Sequence, residues 1–259
     1  MPSVESVTND GLAQITMNRP ESHNSMTAEM AHEMKGSIEN AAADDAIRAI
    51  TLTGSEGTFN TGADLTTLDG TPDDAERLDE IARGLHGAVR AIVGAPIPVV
   101  VGVNGVVAGG GLGLALAGDV VLVSDEARFE YAYPAIGLSG DGGATWLLPR
   151  LVGWRTAQSL MLRDESVPAG EAVELGLATE VVPAAALSDR ITETARTLAD
   201  GPTRAYGEIK TLLREGASRD LDPHLADERR RLTNLTETAD YRRGLTAFLE
   251  GEEPTFEGC

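Results

Sequence analysis

Lysine is almost absent from this chain, which has 259 residues but contains only Lys35 and Lys210. Arginine brings the basic residues to 21, against 41 aspartates and glutamates, so the formal net charge at pH 7 is −20. Nucleic acids and many membrane surfaces are themselves anionic, so this charge argues against either as a partner. An anionic small ligand is still compatible with the charge, provided that backbone amides or a few local cations bind it.

The chain also lacks a second cysteine. Cys259 is the only cysteine, so it can form no internal disulfide. It is also the last residue given, so it does not fit the C-a-a-X lipidation signal, in which three residues follow the cysteine. A chain of this length buries roughly 70–75% of its unfolded surface, so it needs no disulfide to fold. The length predicts one or two domains.

Long apolar segments are missing as well. No apolar run approaches the roughly 20 residues that a membrane-spanning helix needs. The first residues, MPSVESVTND, lack the basic and apolar segments of a signal peptide. We therefore expect a soluble, cytoplasmic protein with no membrane partner.

The chain does contain strand and helix patterns in alternation. Strand patterns occupy 13–20, 47–54 and 97–105, and helix patterns occupy 25–44, 71–95 and 111–118. Thr71 and Pro72 are residue types favoured at an N-cap and a first helical position, so the second helix is expected to begin there. Repeated strand–helix–strand units predict an α/β fold with a parallel sheet.

The character of the sequence changes near residue 185. Beyond it, four helix patterns follow one another without an intervening strand pattern, at 187–201, 203–217, 224–238 and 239–253. We therefore divide the chain into a core over 1–185 and a helical region over 186–259.

The stretch GGGLGLALAGD at 109–119 follows an apolar run and opens a predicted helix. A dinucleotide-binding G-x-G-x-x-G fails here, because Leu114 or Leu116 stands where the last glycine should be. A second interpretation is half of an oxyanion hole, since a helix N-terminus has free N–H groups and glycine lets a carbonyl oxygen come close. The other half would be a similar turn at Gly62 and Ala63. Two tight turns without a ligand explain the same residues equally well.

Six segments along the chain carry a resemblance to a known family. They are NRPESHNSM, GTFNTGADL, PVVVGVNGVVAGGGLGLALAGDVVLVSDEARF, GLSGDGGATWLLPRLVG, EAVELGLATEVVP and AFLEGEEPTF. Together and in this order they resemble the enoyl-CoA hydratase/isomerase (crotonase) family over nearly the whole chain.

The resemblance implies a spiral of repeated ββα units over 1–185 that holds the site for an acyl-CoA thioester. It implies that the helical region 186–259 assembles homotrimers or dimers of trimers. No metal and no redox cofactor is implied, since coenzyme A is part of the substrate. The amides of Ala63 and Gly110 are expected to bind the thioester oxygen, and the substrate is expected to lie against Thr61, Gly62, Ala63, Asp64, Leu65, Gly110 and Tyr133.

Both glutamates that hydratases of the family use are missing. The corresponding positions hold Gly113 and Tyr133. Adding water to a double bond needs one group to activate water and another to deliver a proton. Glycine supplies neither, and tyrosine is a poor base near neutral pH because its ordinary pKa is about 10. The resemblance is therefore nearer to members that have an aspartate in place of the two glutamates.

Asp141 stands where some isomerases and a dehalogenase of the family have a catalytic aspartate. A single base is enough to move a double bond, because it can remove a proton from C2 and return it at C4. The competing interpretation is that Asp141 caps the helix that begins near 142–144. Asp64 and Asp119 are expected to stabilise structure. The histidines at 23, 32, 86 and 224 show neither metal spacing nor a nucleophile to assist.

The favoured reaction is the conversion of a 3-enoyl-CoA to the 2-enoyl-CoA. The alternatives are an enoyl-CoA hydratase or acyl-CoA hydrolase that uses Asp141, and a catalytically silent acyl-CoA-binding protein. The coenzyme A phosphates are expected to meet Arg19, Lys210 or Arg214, because FLEGEEPTF has acids where relatives have a basic segment.

Overall fold

Ten strands form two sheets in the computed structural model, which describes residues 2–259. The strands are β1 (Val4–Asn9), β2 (Leu12–Met17), β3 (Ala49–Gly54), β4 (Thr58–Asn60), β5 (Val99–Val103), β6 (Val106–Ala108), β7 (Val120–Ser124), β8 (Arg128–Glu130), β9 (Val167–Pro168) and β10 (Glu180–Val182). The larger sheet has the order β1-β2-β3-β5-β7-β10 and the smaller one the order β4-β6-β8-β9.

Nearly all of the pairing is parallel. In the larger sheet only β1 runs antiparallel to its neighbour, and in the smaller sheet only β9 does. Parallel strands need a crossover connection, and helices make these crossovers. The α/β class with a parallel sheet that the sequence predicts is confirmed.

Ten helices accompany the strands in the described residues. They are α1 (Ala28–Ala43), α2 (Asp74–Gly94), α3 (Gly110–Leu116), α4 (Ala144–Val152), α5 (Trp154–Arg163), α6 (Ala169–Leu175), α7 (Leu187–Ala199), α8 (Thr203–Gly216), α9 (Leu221–Leu235) and α10 (Ala239–Glu250). The triplets β3–β4–α2, β5–β6–α3 and β7–β8–α4 each give one strand to each sheet before a helix follows. This is the repeated ββα unit.

Strand β5 shows why the larger sheet is buried on both faces. Its side chains alternate between two apolar clusters: Val99, Val101 and Val103 pack with the helices of the main core, and Val100 packs with α7 on the opposite face. This alternation is the two-residue period of a strand. A continuously apolar run is therefore required here.

Helix α1 has the apolar face that its sequence predicts, since Met30, Met34 and Ile38 are fully buried. Thr27 caps the helix by accepting a hydrogen bond from the Met30 amide at 3.2 Å.

The predicted start of the second helix at Thr71 and Pro72 is wrong. Helix α2 begins at Asp74, whose carboxylate accepts hydrogen bonds from the amides of Asp69, Gly70 and Thr71 at 2.8–3.2 Å. Those bonds fold the preceding segment into a turn, so the first helical residue is Asp74 and not Pro72, two residues later than predicted.

Helices α7–α10 follow one another at the end of the chain, as the sequence predicts. Helix α7 packs Leu187, Ile191 and Ala195 against the larger sheet. No helix among residues 2–259 is both long and apolar enough to cross a membrane.

Candidate active site

Two glycine turns lie side by side just beyond strands β4 and β6. A Cβ atom on Gly62 would lie 3.3 Å from the Gly110 nitrogen and 3.4 Å from the Gly109 Cα. Gly62 has φ +86° and Gly109 has φ +52°, values that glycine adopts at little cost. Space and backbone conformation therefore both require glycine where the turns meet.

Each turn leaves one backbone amide without an acceptor. Met26 donates to the Gly62 carbonyl at 2.7 Å and accepts from the Asp64 amide at 2.9 Å, so Ala63 forms a parallel bridge with Met26. In such a bridge the N–H of Ala63 itself points away from Met26. Gly110 is the first residue of α3 and has no partner four residues earlier. Neither the Ala63 nor the Gly110 amide donates a hydrogen bond within residues 2–259.

Both amides belong to the wall of a cavity of about 370 Å³. Most of the remaining wall is apolar and comes from α2, the segment after Ala63 and the segment before Asp141. Its large apolar side chains are Met26, Leu65, Leu78, Ile81, Leu85, Ile136 and Leu138. A mostly apolar cavity with a few convergent polar groups is typical of a small-molecule site.

Asp141 lies on the same cavity wall, in the loop before α4. Its Oδ1 accepts a hydrogen bond from the Gly142 amide at 2.6 Å and contacts Nε2 of His86. Gly143 occupies the N-cap position of α4, and the Ala144 amide bonds to the backbone carbonyl of Asp141. The interpretation of the Asp141 side chain as the helix cap is therefore wrong.

His86 is a residue of the site that the sequence interpretation misses. It lies on α2, and its ring faces the Asp141 carboxylate across 55 residues of chain, so no local motif connects the two. In the structure His86 follows Ala82 by four residues and shares its helix face. Ala82 lines the cavity.

Gly113 has no room for any side chain. A Cβ atom there would lie 1.8 Å from the carbonyl oxygen of Gly142 and 2.6 Å from its carbonyl carbon. The loop that carries Asp141 thus occupies the space into which an acid at position 113 would project.

Tyr133 also lines the cavity, and its side chain is buried. Burial, together with the charge of Asp141, raises the pKa of its hydroxyl well above the ordinary value of 10. Tyr133 is therefore a neutral hydroxyl at physiological pH and cannot act as a base.

Asp64 does not line the cavity. Its carboxylate accepts hydrogen bonds from the Thr66 hydroxyl at 2.6 Å and from Arg19 at 2.9 Å. Burial alone would raise its pKa, but the bonds from Thr66 and Arg19 outweigh burial and lower it. Asp64 stabilises the turn after Ala63, whereas Thr61, Gly62 and Leu65 line the cavity.

The cations expected at the coenzyme A phosphates already have protein partners. Arg19 binds Asp64, and Lys210 is nearly buried and pairs with Asp119 at 2.5 Å. Arg214 is more exposed and donates to the Val93 carbonyl at 3.2 Å. Lys210 also donates to the Ile97 carbonyl at 2.8 Å, so two of its three N–H groups already have protein partners.

The sequence model of the enoyl-CoA hydratase/isomerase family matches residues 7–259. The chain belongs to this family. A probable enoyl-CoA hydratase of Rhodobacter capsulatus is 39% identical, with 96% of this chain and 95% of that protein covered. The 1,2-epoxyphenylacetyl-CoA isomerase of Escherichia coli is 37% identical over the same shares of the two chains.

Solved structures of the family share the fold. The crystal structure of an enoyl-CoA hydratase from Polaromonas superposes with a TM-score of 0.93 at 29% identity, and the match covers 98% of this chain and 99% of that one. The spiral of ββα units expected from the sequence is thus confirmed as a crotonase fold. The protein is a crotonase-family acyl-CoA enzyme.

Proposed function

We propose that the protein shifts the double bond of a 3-enoyl-CoA to give the 2-enoyl-CoA. The observation that carries this proposal is one carboxylate, Asp141, on the same cavity wall as two backbone amides without acceptors, Ala63 and Gly110. A single base and two donors are what the reaction requires. Position 113, where a hydratase needs an acid, has no room for one.

The amides of Ala63 and Gly110 would donate hydrogen bonds to the carbonyl oxygen of the substrate thioester. When a proton leaves C2, negative charge develops on this oxygen, and two fixed donors stabilise it most in the transition state. One such donor typically lowers the barrier by about 3–4 kcal/mol. The paired glycine turns support this role, because they fix both amides before the substrate arrives.

Asp141 would carry the proton. Its carboxylate removes a proton from C2, the electrons spread over the dienolate, and the same carboxylate returns the proton at C4. The double bond moves from C3–C4 to C2–C3, and no water is consumed. His86 touches the carboxylate oxygen and is suited to hold it in one orientation between the two transfers.

The charges on the cavity wall limit which acyl groups can bind. Among the described residues that line it, the charged side chains are Asp79 and Asp141, and none is lysine or arginine. An anionic acyl group would meet two carboxylates and no cation, so we propose an uncharged acyl group.

The contact between Asp141 and His86 supports a second candidate, which is water addition or thioester hydrolysis. A histidine beside a carboxylate can accept a proton from water. In hydratases of the family the two glutamates take this role. The names of the two relatives differ, since one is a probable enoyl-CoA hydratase and the other a 1,2-epoxyphenylacetyl-CoA isomerase, so turnover assays decide between the two candidates.

The wild-type protein is expected to convert 3-hexenoyl-CoA to the conjugated 2-enoyl-CoA, measured as growth of the conjugated-thioester absorbance. In the same assay crotonyl-CoA should keep its absorbance, because position 113 has no room for an acid and Tyr133 is a neutral hydroxyl. Loss of the crotonyl-CoA absorbance without release of a free thiol would identify a hydratase, and loss with release of the coenzyme A thiol would identify a hydrolase. Tight binding of both thioesters without turnover would identify a silent binding protein.

We also propose that helices α8–α10 join copies of this chain into a homotrimer or a dimer of trimers. They expose large apolar side chains, among them Leu213 at 74%, Leu232 at 69% and Phe248 at 80% of full accessibility. Surfaces of this kind mark interaction sites. Light scattering should give three or six times the chain mass of 27.2 kDa, and a monomer mass would contradict this proposal.

A further inference from the structure

Asn60 is a polar residue with no exposed surface. It is the last residue of β4 and is 0% exposed. Its side-chain nitrogen donates to the Asn24 carbonyl at 2.5 Å, and its Oδ1 accepts from the Gly62 amide at 2.9 Å. Burying a carboxamide costs free energy unless it forms hydrogen bonds, and here both ends of the group form them. The two bonds connect Asn60 to the segment before α1 and to the turn that carries Ala63.

The bond to Gly62 bears on the direction of the Ala63 N–H. That N–H lies in the same planar peptide unit as the Gly62 carbonyl, which accepts from the Met26 amide at 2.7 Å. The preceding peptide unit contains the Gly62 N–H, which donates to Asn60. Glycine turns freely about φ and ψ, so the two peptide units that flank it need separate bonds to keep one orientation. Met26 and Asn60 supply these two bonds.

Asn60 also lies against the other half of the oxyanion hole. A Cβ atom on Gly111 would be 2.6 Å from the Asn60 carbonyl oxygen and 2.7 Å from its Oδ1. The first turn of α3, which begins at Gly110, therefore packs directly on Asn60 with no side chain between them. One carboxamide touches both glycine turns, so it fixes the spacing between them.

We propose that Asn60 is a positioning residue, which holds the Ala63 and Gly110 amides in the relative orientation that one thioester oxygen needs. This inference rests on the proposed function, because that function assigns the two amides to the thioester oxygen. Asn60 is not part of the cavity wall, so it acts through Gly62 and Gly111 and touches no substrate. Donors that are fixed in advance stabilise developing charge without reorganising, so the effect of Asn60 belongs in kcat.

The first test compares Asn60→Ser with Asn60→Ala, which differ by one oxygen atom. A serine hydroxyl can accept the amide two residues along the chain, as asparagine does, whereas alanine leaves the Gly62 amide without an acceptor. Both side chains are too short to replace the bond to the Asn24 carbonyl, so both variants should lose stability in denaturant unfolding. Asn60→Ala is expected to lower kcat for 3-hexenoyl-CoA by about 10- to 100-fold, with KM within about twofold of the wild type. Asn60→Ser should keep kcat within about threefold of the wild type.

The second test does not depend on turnover. Butyryl-CoA labelled with carbon-13 at its thioester carbonyl has no double bond to shift, and hydrogen bonds to the carbonyl oxygen lower its infrared stretching frequency. The bound carbonyl should absorb at a lower frequency in the wild type and Asn60→Ser than in Asn60→Ala. Asn104→Ala is the matched control, because the Asn104 side chain bonds to the amide and carbonyl of Gly54 at 3.3 and 2.8 Å and not to the Gly62 turn. It should leave kcat and the carbonyl frequency unchanged.

Equal kcat and equal carbonyl frequency in Asn60→Ala and Asn60→Ser would overturn the inference, since a bond that only stabilises the fold predicts that result. A wild type that lowers the carbonyl frequency but does not convert 3-hexenoyl-CoA would contradict the proposed reaction, and the infrared comparison would still decide the role of Asn60. A wild type that leaves the frequency of the free thioester unchanged would contradict both.

A second matched pair covers the case in which Asn60→Ala does not fold. Asn60→Thr and Asn60→Val have the same shape and differ in the hydroxyl, and β-branched residues suit the strand position of Asn60. The threonine variant should behave as Asn60→Ser, and the valine variant should show the losses expected of Asn60→Ala. Failure of both pairs to fold would show that the whole fold needs Asn60, and the inference would be wrong.

Discussion

Asp141→Asn is expected to lower kcat for isomerisation of 3-hexenoyl-CoA by about 10²–10⁴-fold, the usual contribution of a positioned general base. Asparagine has the same shape and can still accept the Gly142 amide, which bonds to Asp141 at 2.6 Å. The loop should therefore keep its position while the proton carrier is lost. The affinity for the thioester, measured by calorimetry, should stay within about twofold, because the amides of Ala63 and Gly110 are unchanged.

His86→Gln is the matched control for this experiment. It keeps the Asp141 carboxylate and removes only the ring that touches it, so the loss in kcat should be smaller, within about tenfold, the value of one hydrogen bond. Equal rates for the wild type and Asp141→Asn would remove Asp141 from the mechanism. Loss of thioester binding in Asp141→Asn would show that the substitution disturbs the cavity.

Gly113→Glu, which restores the acid of the hydratase pattern, is expected to destroy the site instead of creating a hydratase. The new Cβ would lie 1.8 Å from the Gly142 carbonyl oxygen, so the loop that carries Asp141 must move. Overpacking a buried position typically costs about 1–3 kcal/mol, and this clash is with backbone, so we expect about 3 kcal/mol or more. Denaturant unfolding measures the loss, and isomerisation should fall more than tenfold.

Two variants separate the clash from the charge. Gly113→Ala adds the Cβ without the carboxylate and should lose much of the same stability and activity. Gly36→Ala adds a Cβ in α1 where nothing lies within 4 Å, so it should be neutral or stabilising by up to about 1 kcal/mol. Stable folding of Gly113→Glu together with new hydration of crotonyl-CoA would contradict our explanation of this glycine.

The elements with strong local patterns could be predicted from the sequence. The methionines on one face of α1 and the continuously apolar sequence of β5 both predict buried residues. Both predictions are confirmed. The start of α2 is harder to predict from the sequence. The Asp74 carboxylate bonds to the backbone amides of the residues before it, and these bonds prevent the helix start that Thr71 and Pro72 favour. Side chains that bond to nearby backbone shift helix ends in ways that propensity alone does not show.

The site could be predicted only in part, because some of its contacts join segments that are far apart in the sequence. Gly62, Ala63, Gly110 and Asp141 belong to recognisable segments and Tyr133 lies between two of these segments, and the structure brings all five residues to one cavity.

Contacts between distant segments are not contained in any local pattern. Examples are the ring of His86 against Asp141 and the Gly142 carbonyl against Gly113. Gly113 shows the limit clearly, because the sequence indicates only that an acid is missing. The packing of the loop shows that an acid cannot fit.

The crystal structure of Asp141→Asn with 3-hexenoyl-CoA bound tests the central claim, which is that one residue serves both proton positions. We predict that the side-chain oxygen of residue 141 lies within about 3.5 Å of both C2 and C4. We also predict that the thioester oxygen lies about 2.7–3.1 Å from the nitrogens of Ala63 and Gly110. An acyl chain whose C2 or C4 lies more than about 5 Å from that side chain, with the thioester oxygen away from both amides, would contradict the account.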